Sequence, residues 1–253
     1  MKPISRSTFL ARSLCFAVLV FALPGCSKGD GESLKGRVTS SGPAGVFFMT
    51  RYWSGGMLEK AAWYFAADGT VYQNLENGVT AVDLAAHKGP RGTFKLTGNQ
   101  LEITWSAPKP GTSKSQFEPD SGGPGFAWDG GLFSPVGPIT DPKVVAGKFE
   151  GGESLSHGGN SVMTSHSFAF RADGTYMRES LGSVKGTTSR SILTGDASGT
   201  SAGTWKADGY TLILTGTNGG ATERKMAFPW SDDDKNPPNR LYLGGTLLKR
   251  QSQ

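Results

Sequence analysis

Three histidines set the ceiling on acid–base chemistry in this 253-residue chain, because the side chain that moves protons near neutral pH is most often an imidazole. His87 lies in Ala85-Ala86-His87-Lys88-Gly89-Pro90, a loop by composition. His157 lies in the glycine loop Ser156-His157-Gly158-Gly159, and His166 precedes an aromatic strand at Phe168. Ser154 and Ser156 stand close to His157. A serine nucleophile, however, needs an oriented base and a strained elbow, and no Gly-x-Ser-x-Gly occurs. Solvated loop residues are the simpler reading. His157, His166 and Glu153 could converge on zinc, for which three protein ligands suffice, but their spacing follows no zinc pattern. Asp232-Asp233-Asp234 with Asn236 and Asn239 has the oxygens for calcium. Lys235 interrupts that run and Pro237-Pro238 follow it, which fits a polar hairpin loop better. The sequence therefore leads us to expect no catalytic residue, no metal ligand set and no cofactor, and hence no enzyme.

Tryptophan offers a different chemistry. Trp53, Trp63, Trp105, Trp128, Trp205 and Trp230 are large enough to surround an apolar ligand inside a barrel, or simply to fill one. Trp63, Trp105 and Trp205 fall on alternating apolar faces and read as packing. Trp53 and Trp230 are less constrained by pattern and read as surface or rim.

Cys26 carries the one modification the sequence points to. Lys2, Arg6 and Arg12 form a basic n-region, Leu14 to Leu23 is an apolar run broken only by Cys15, and Leu23-Pro24-Gly25-Cys26 closes it. The run is about half the roughly 20 residues a spanning helix needs. These residues resemble a bacterial lipoprotein signal with its lipobox. The resemblance implies that residues 1–25 are removed and that Cys26, acylated with palmitate among its chains, attaches the protein to a membrane. Ser27 after it implies an outer-membrane destination, facing the periplasm or the cell surface. Ordinary secretory cleavage near Cys26 is the alternative. Residues 26–43, with Gly29, Gly31, Gly36 and Gly42 among serines and charges, read as a flexible tether.

Charge and cysteine content exclude further classes. Three of the 26 Lys and Arg leave with the signal, so 23 face 21 acids and the net charge falls from +5 to about +2. No concentrated basic stripe remains, and no nucleic-acid partner is expected. Neither cysteine stays free in the mature chain, so the fold has no disulfide and depends on its core alone.

Self-similarity organises the chain beyond the tether. Trp63-Tyr64-Phe65-Ala66-Ala67-Asp68-Gly69-Thr70 is echoed by Phe168-Ala169-Phe170-Arg171-Ala172-Asp173-Gly174-Thr175. Gly92-Thr93-Phe94-Lys95 with Leu101-Glu102-Ile103 is echoed by Gly203-Thr204-Trp205-Lys206 with Leu212-Ile213-Leu214. A looser echo sets Phe126 to Gly131 against Arg240 to Gly245. Aspartate-glycine between apolar β-formers predicts hairpins, with Phe65 opposite Val71 and Phe170 opposite Tyr176 if Ala-Asp-Gly forms a three-residue loop. Phe94, Leu96, Leu101, Ile103 and Trp105 alternate onto one face, as do Trp205, Ala207, Leu212 and Leu214. Gly244-Gly245 reads as a bend or bulge at a barrel corner. Gly137-Pro138-Ile139-Thr140-Asp141-Pro142 is the natural seam, giving one β domain over 44–137 and a second over 143–250.

The run Phe-x-x-Asp-Gly-Thr-Tyr, Gly-Thr-Trp, Leu-x-Leu and Gly-Gly-Thr-x-Leu resembles the lipocalin-like barrels of secreted and lipidated bacterial proteins. It implies an all-β fold of two tandem antiparallel meander barrels, internally duplicated, and carries no binding residue with it. The function expected is a lipid-anchored cell-envelope lipoprotein acting as a non-enzymatic binding or interaction module. Its alternatives are a carrier or sensor for a small apolar ligand inside a barrel, and a hydrolase whose site is assembled from distant residues.

Overall fold

The computed structural model describes residues 34–252 apart from 55, 158–159, 188–191, 218–219 and 232–237; of segments 153–157, 160–162, 184–187 and 192–196 it describes the backbone alone. Cys26 and the signal, the side chains of Glu153, Ser154, Ser156 and His157, and the Asp232-Asp233-Asp234 loop with Asn236 lie outside the described residues.

Two eight-stranded antiparallel barrels succeed one another along the chain. The first is built from β2 (Gly42–Tyr52), β3 (Leu58–Phe65), β4 (Thr70–Gln73), β5 (Arg91–Thr97), β6 (Gln100–Ala107), β7 (Gly111–Pro119), β8 (Phe126–Trp128) and β9 (Gly131–Pro135). Pairing of β2 with β9 closes it, and β1 (Arg37–Thr39) adds a short strand along β2. The segment that reads as a tether is therefore structured from Arg37 onward. The second barrel is β10 (Gly147–His157), β11 (Asn160–Phe170), β12 (Thr175–Thr187), β13 (Ile192–Asp208), β14 (Thr211–Gly216), β15 (Thr222–Trp230), β16 (Arg240–Leu243) and β17 (Thr246–Arg250), closed by β10 against β17. The linker holds a 3-10 turn, Pro142–Val144, started by Asp141, whose carboxylate accepts from Lys143 N. Among the described residues no helix is long and apolar enough to cross a membrane.

Turn chemistry sets the registers. Phe65 pairs with Val71 and Phe170 with Tyr176, the two Ala-Asp-Gly loops placing Gly69 and Gly174 at φ of 84° and 82°. Apolar residues of period two then face inward. Barrel 1 is filled by a cluster that includes Phe47, Trp63, Phe65, Phe126, Trp128 and Phe133, and barrel 2 by Phe149, Phe168, Phe170, Trp205, Leu212 and Leu214. Eight strands enclose a space about wide enough for side chains alone, so a filled interior is the natural outcome.

Two readings of the repeat change. Asp129-Gly130 and Gly244-Gly245 are both two-residue loops with positive φ, joining Trp128 to Gly131 and Leu243 to Thr246. The looser echo is thus offset by one residue: Trp128 corresponds to Leu243, not Tyr242. Period two explains why, since the shift keeps Phe126, Trp128, Leu241 and Leu243 all on inner faces. Gly244-Gly245 is a hairpin turn rather than a barrel corner.

A third core joins the barrels. Outward residues of β2 and β3, Val46, Phe48 and Ala62, pack with Leu75 and Val79 against Tyr210, Met226, Phe228 and Tyr242 of barrel 2. Trp230 belongs here as well, edge-on to Phe48 at 4.8 Å, so it is not a rim residue. Tyr210 donates to Val136 O at 2.7 Å, tying a barrel 2 hairpin to the linker. The β4–β5 connection folds a short helix, α1 (Ala81–Ala86), where composition suggests only loop. Thr80 and Asp83 cap it reciprocally. Asp83 then reaches across to Arg224 of β15, with Nε–Oδ1 2.6 Å and Nη2–Oδ2 3.0 Å, and accepts from Thr211 Oγ1 at 3.1 Å. Burial pushes the Asp83 carboxyl up, but hydrogen bonds from Arg224, Thr80 and Thr211 and the guanidinium charge outweigh it and hold it below the usual carboxylate range.

Candidate functional site

The three histidines do not converge. His87 caps the C-terminus of α1, edge-on to Tyr72 at 5.7 Å, its Nε2 3.3 Å from Pro90 O. It borders an open hollow of about 400 Å³ among Asn74, Glu76, Asn77 and Lys88. His157 has no described side chain. Among the described residues no group of three His, Cys, Asp or Glu gathers as a metal site would require. Asn239, the described end of the acidic loop, uses its carbonyl to accept from Arg250 N.

Of the two histidines with described side chains, His166 lies inside a barrel. Alternation along β11 aims His166, Phe168 and Phe170 inward, and the same rule on β12 aims Tyr176, Arg178 and Ser180. On β15, Lys225 and Glu223 share the inward face with buried Ala227. These residues form one mouth of barrel 2, a cavity of about 80 Å³ with Phe168, Leu214, Leu243 and Leu248 as its floor and His166, Arg178, Lys225 and Thr246 as its walls. The opposite end is closed. There Arg250 lies over the Phe149 ring at 4.5 Å and donates to Ala146 O and Val144 O.

Charge in the mouth is unequal. Arg178 stands 5.5 Å over Phe168, donates from Nε to Ser180 Oγ at 3.2 Å, and lies 3.6 Å from Glu223; Lys225 lies 3.5 Å from the same carboxylate. His166 Nδ1 is 3.1 Å from Ser180 Oγ. A guanidinium and an ammonium bring eight N–H donors, while Glu223 and Ser180 supply few acceptors. An anionic group entering the cavity meets two cations, an imidazole and a threonine hydroxyl, with the Glu223 carboxylate as the one acid beside both cations among the described residues.

Register equates positions in the two barrels and explains how their described residues differ at this end. Trp63 corresponds to Phe168, Trp105 to Gly216, Trp128 to Leu243 and Met49 to Gly151. In barrel 1 the three indoles meet, Trp63 lying 5.8 Å from Trp105 and 6.2 Å from Trp128, and plug the mouth. Barrel 2 has lost that bulk. Its wall has also gained charge: His166, Arg178, Lys225 and Glu223 stand where barrel 1 has Ala61, Gln73, Ser115 and Ser113.

Sequence reasoning weighs His166 only as a zinc ligand or a base and passes over Arg178 and Lys225. The signal was available. In Tyr176-x-Arg178-x-Ser180 and Lys225-x-Ala227, charged residues occupy positions whose parity belongs to the core. Comparison of the chain with family models, curated proteins and solved structures found no match.

Proposed function

We propose that this protein is a non-enzymatic binding module, anchored to the cell envelope by an acylated Cys26, in which the mouth of barrel 2 holds an anionic group such as a phosphate or carboxylate. The observation that carries this reading is the replacement of three plugging indoles by Phe168, Gly216 and Leu243 beneath Arg178 and Lys225. A cavity of about 80 Å³ suits a head group of a few heavy atoms. An apolar cargo of ordinary size needs about 300 Å³ or more, which counts against a carrier of hydrophobic molecules.

Calorimetric titration of the chain from Ser27 with inorganic phosphate and with acetate tests the site. A few heavy atoms held by charge-assisted hydrogen bonds should give a Kd of about 0.1–1 mM, weakened by salt. Arg178→Ala should raise it at least tenfold. Binding that Arg178→Ala leaves unchanged refutes the assignment. Mass spectrometry of the N-terminus of the protein from its host tests the anchor separately, with an acylated Cys26 expected.

The second reading, a hydrolase, has one observation in its favour: the His166–Ser180 contact. Ser180 lies within strand β12 and takes a hydrogen bond from Arg178, an arrangement that stabilises a bound anion more readily than it activates a nucleophile. Ester hydrolysis abolished by Ser180→Ala would favour hydrolysis over binding.

A further inference from the structure

At one end of barrel 1 the chain exposes large apolar side chains that serve none of the three cores. Tyr52 is 76 % exposed, Trp53 46 %, Met57 55 % and Leu58 37 %, all on the β2–β3 hairpin, and Leu132 on neighbouring β9 is 63 % exposed. Pairing gathers them. Tyr52 is opposite Leu58, while Thr50, two residues before Tyr52, is opposite Leu132. The outer face of β2 thus changes character along its length: Val46 and Phe48 are buried under barrel 2, and Tyr52 projects beyond it.

The described residues of this tip are hydrogen-bonded to one another. Trp53 N donates to Met57 O at 2.9 Å and Gly56 N to Trp53 O at 3.1 Å, with Gly56 at φ 82°. The indole is pinned from two sides, its Nε1 donating to Glu59 at 2.9 Å and its ring facing the Arg51 guanidinium at 5.2 Å. Arg51 and Lys60 are matched by Asp129 and Glu59, so the tip carries no net charge to attract an acidic or basic protein. A tyrosine and a tryptophan with Met and Leu on the facing arm of the hairpin are the mixture that settles at the level of lipid head groups, one end of each ring apolar and the other wet.

The covalent chain permits the same placement. Leu34 O accepts from Val46 N, and Tyr52 lies six residues beyond Val46, about 20 Å along the strand. Cys26 is eight residues before Leu34, a reach of up to about 27 Å. A bilayer holding acyl chains on Cys26 can therefore also touch the tip. We infer that the β2–β3 tip of barrel 1, centred on Tyr52, Trp53 and Leu58, rests in the membrane interface and orients the two barrels relative to the lipid surface. The inference deepens the reading of an anchored envelope protein, yet the tip's affinity for lipid does not require acylation of Cys26.

That independence shapes the experiment. The unacylated chain from Ser27 to Gln253, which keeps every described element, is mixed with vesicles of phosphatidylethanolamine and phosphatidylglycerol and separated by flotation. The wild-type chain should partition measurably at millimolar lipid, and Trp53→Ala with Leu58→Ser should lower the partition coefficient at least fivefold while Met163→Ser, remote in barrel 2, leaves it unchanged. Lipids brominated near the head group should quench part of the wild-type tryptophan emission, a readout that needs no variant. No flotation of the wild-type chain, or equal flotation of the double variant, overturns the tip; a free thiol on Cys26 in the native protein overturns the anchor and leaves the tip standing.

Discussion

Arg224 offers the sharpest test of how the barrels are joined. Its guanidinium makes two short hydrogen bonds to Asp83, whose side chain is 1 % exposed while that of Arg224 is 31 % exposed. Arg224→Ala strands a buried carboxylate with only the hydroxyls of Thr80 and Thr211 and one backbone N–H as partners. Breaking a buried pair in this way costs about 3–5 kcal/mol, and the part-exposed guanidinium places this case near 3. The cost is chiefly that of the orphaned charge, so Asp83→Asn added to Arg224→Ala should restore about 1–2 kcal/mol rather than destabilise further. A pH dependence comes with the pair. In the wild type Asp83 is held below the ordinary carboxylate range, so its contribution is complete above about pH 5 and is lost progressively as pH falls through the unfolded value to the depressed folded one. Without Arg224 the carboxyl loses the guanidinium hydrogen bonds and charge that hold it down while burial still pushes it up, so Arg224→Ala should lose less stability than the wild type as pH falls from 7 to 3. Urea denaturation of the wild type, Arg224→Ala, Asp83→Asn and the double variant at pH 7 and pH 3 reads all of this. A loss below 1 kcal/mol for Arg224→Ala, or additive damage in the double variant, refutes the reasoning.

Gly78 sits at φ 122° beside the same pair, where an added Cβ would collide with Thr211 Oγ1 and lie 2.7 Å from Asp83 Oδ2; Gly78→Ala should cost at least about 2 kcal/mol by denaturant titration. Tyr210→Phe removes a buried donor to Val136 O and should cost about 1–2 kcal/mol in the same assay. Burial raises the Tyr210 phenol well above its ordinary value, so wild-type stability contributed by this group should hold up to about pH 10 and decline above it. The Tyr210→Phe protein should lack that part of the alkaline slope.

The fold was legible where one physical rule acts alone. Asp-Gly between aromatic strands sets a turn and a register, and Phe94-x-Leu96 with Leu101-x-Ile103 sets an inner face; both survive because each barrel interior is apolar and each turn is local. The contact between barrels was not legible from alternation, since its residues lie on outer faces. Its trace is the unbroken apolar run Val46-Phe47-Phe48-Met49, whose odd and even members serve two different cores. Alternation puts Thr211 on the far face of its strand and it does lie there, yet it is buried because Asp83 arrives from 128 residues away. The mouth of barrel 2 was missed for a related reason. Arg178 and Lys225 are ordinary surface residues by type, and only strand parity together with the length of β12 turns them into a lining.

Phe168→Trp tests the central claim most directly, because it returns to barrel 2 the residue that plugs barrel 1. Phe168 stacks on Phe170 at 5.5 Å as Trp63 stacks on Phe65 at 5.9 Å, so the larger ring has a matching seat. Titrated with inorganic phosphate by calorimetry, the wild-type chain should bind, and the Phe168→Trp chain should show at least a tenfold weaker Kd with its Tm unchanged or raised. Equal binding by both chains would contradict the account, as would a wild-type chain that takes up no anion.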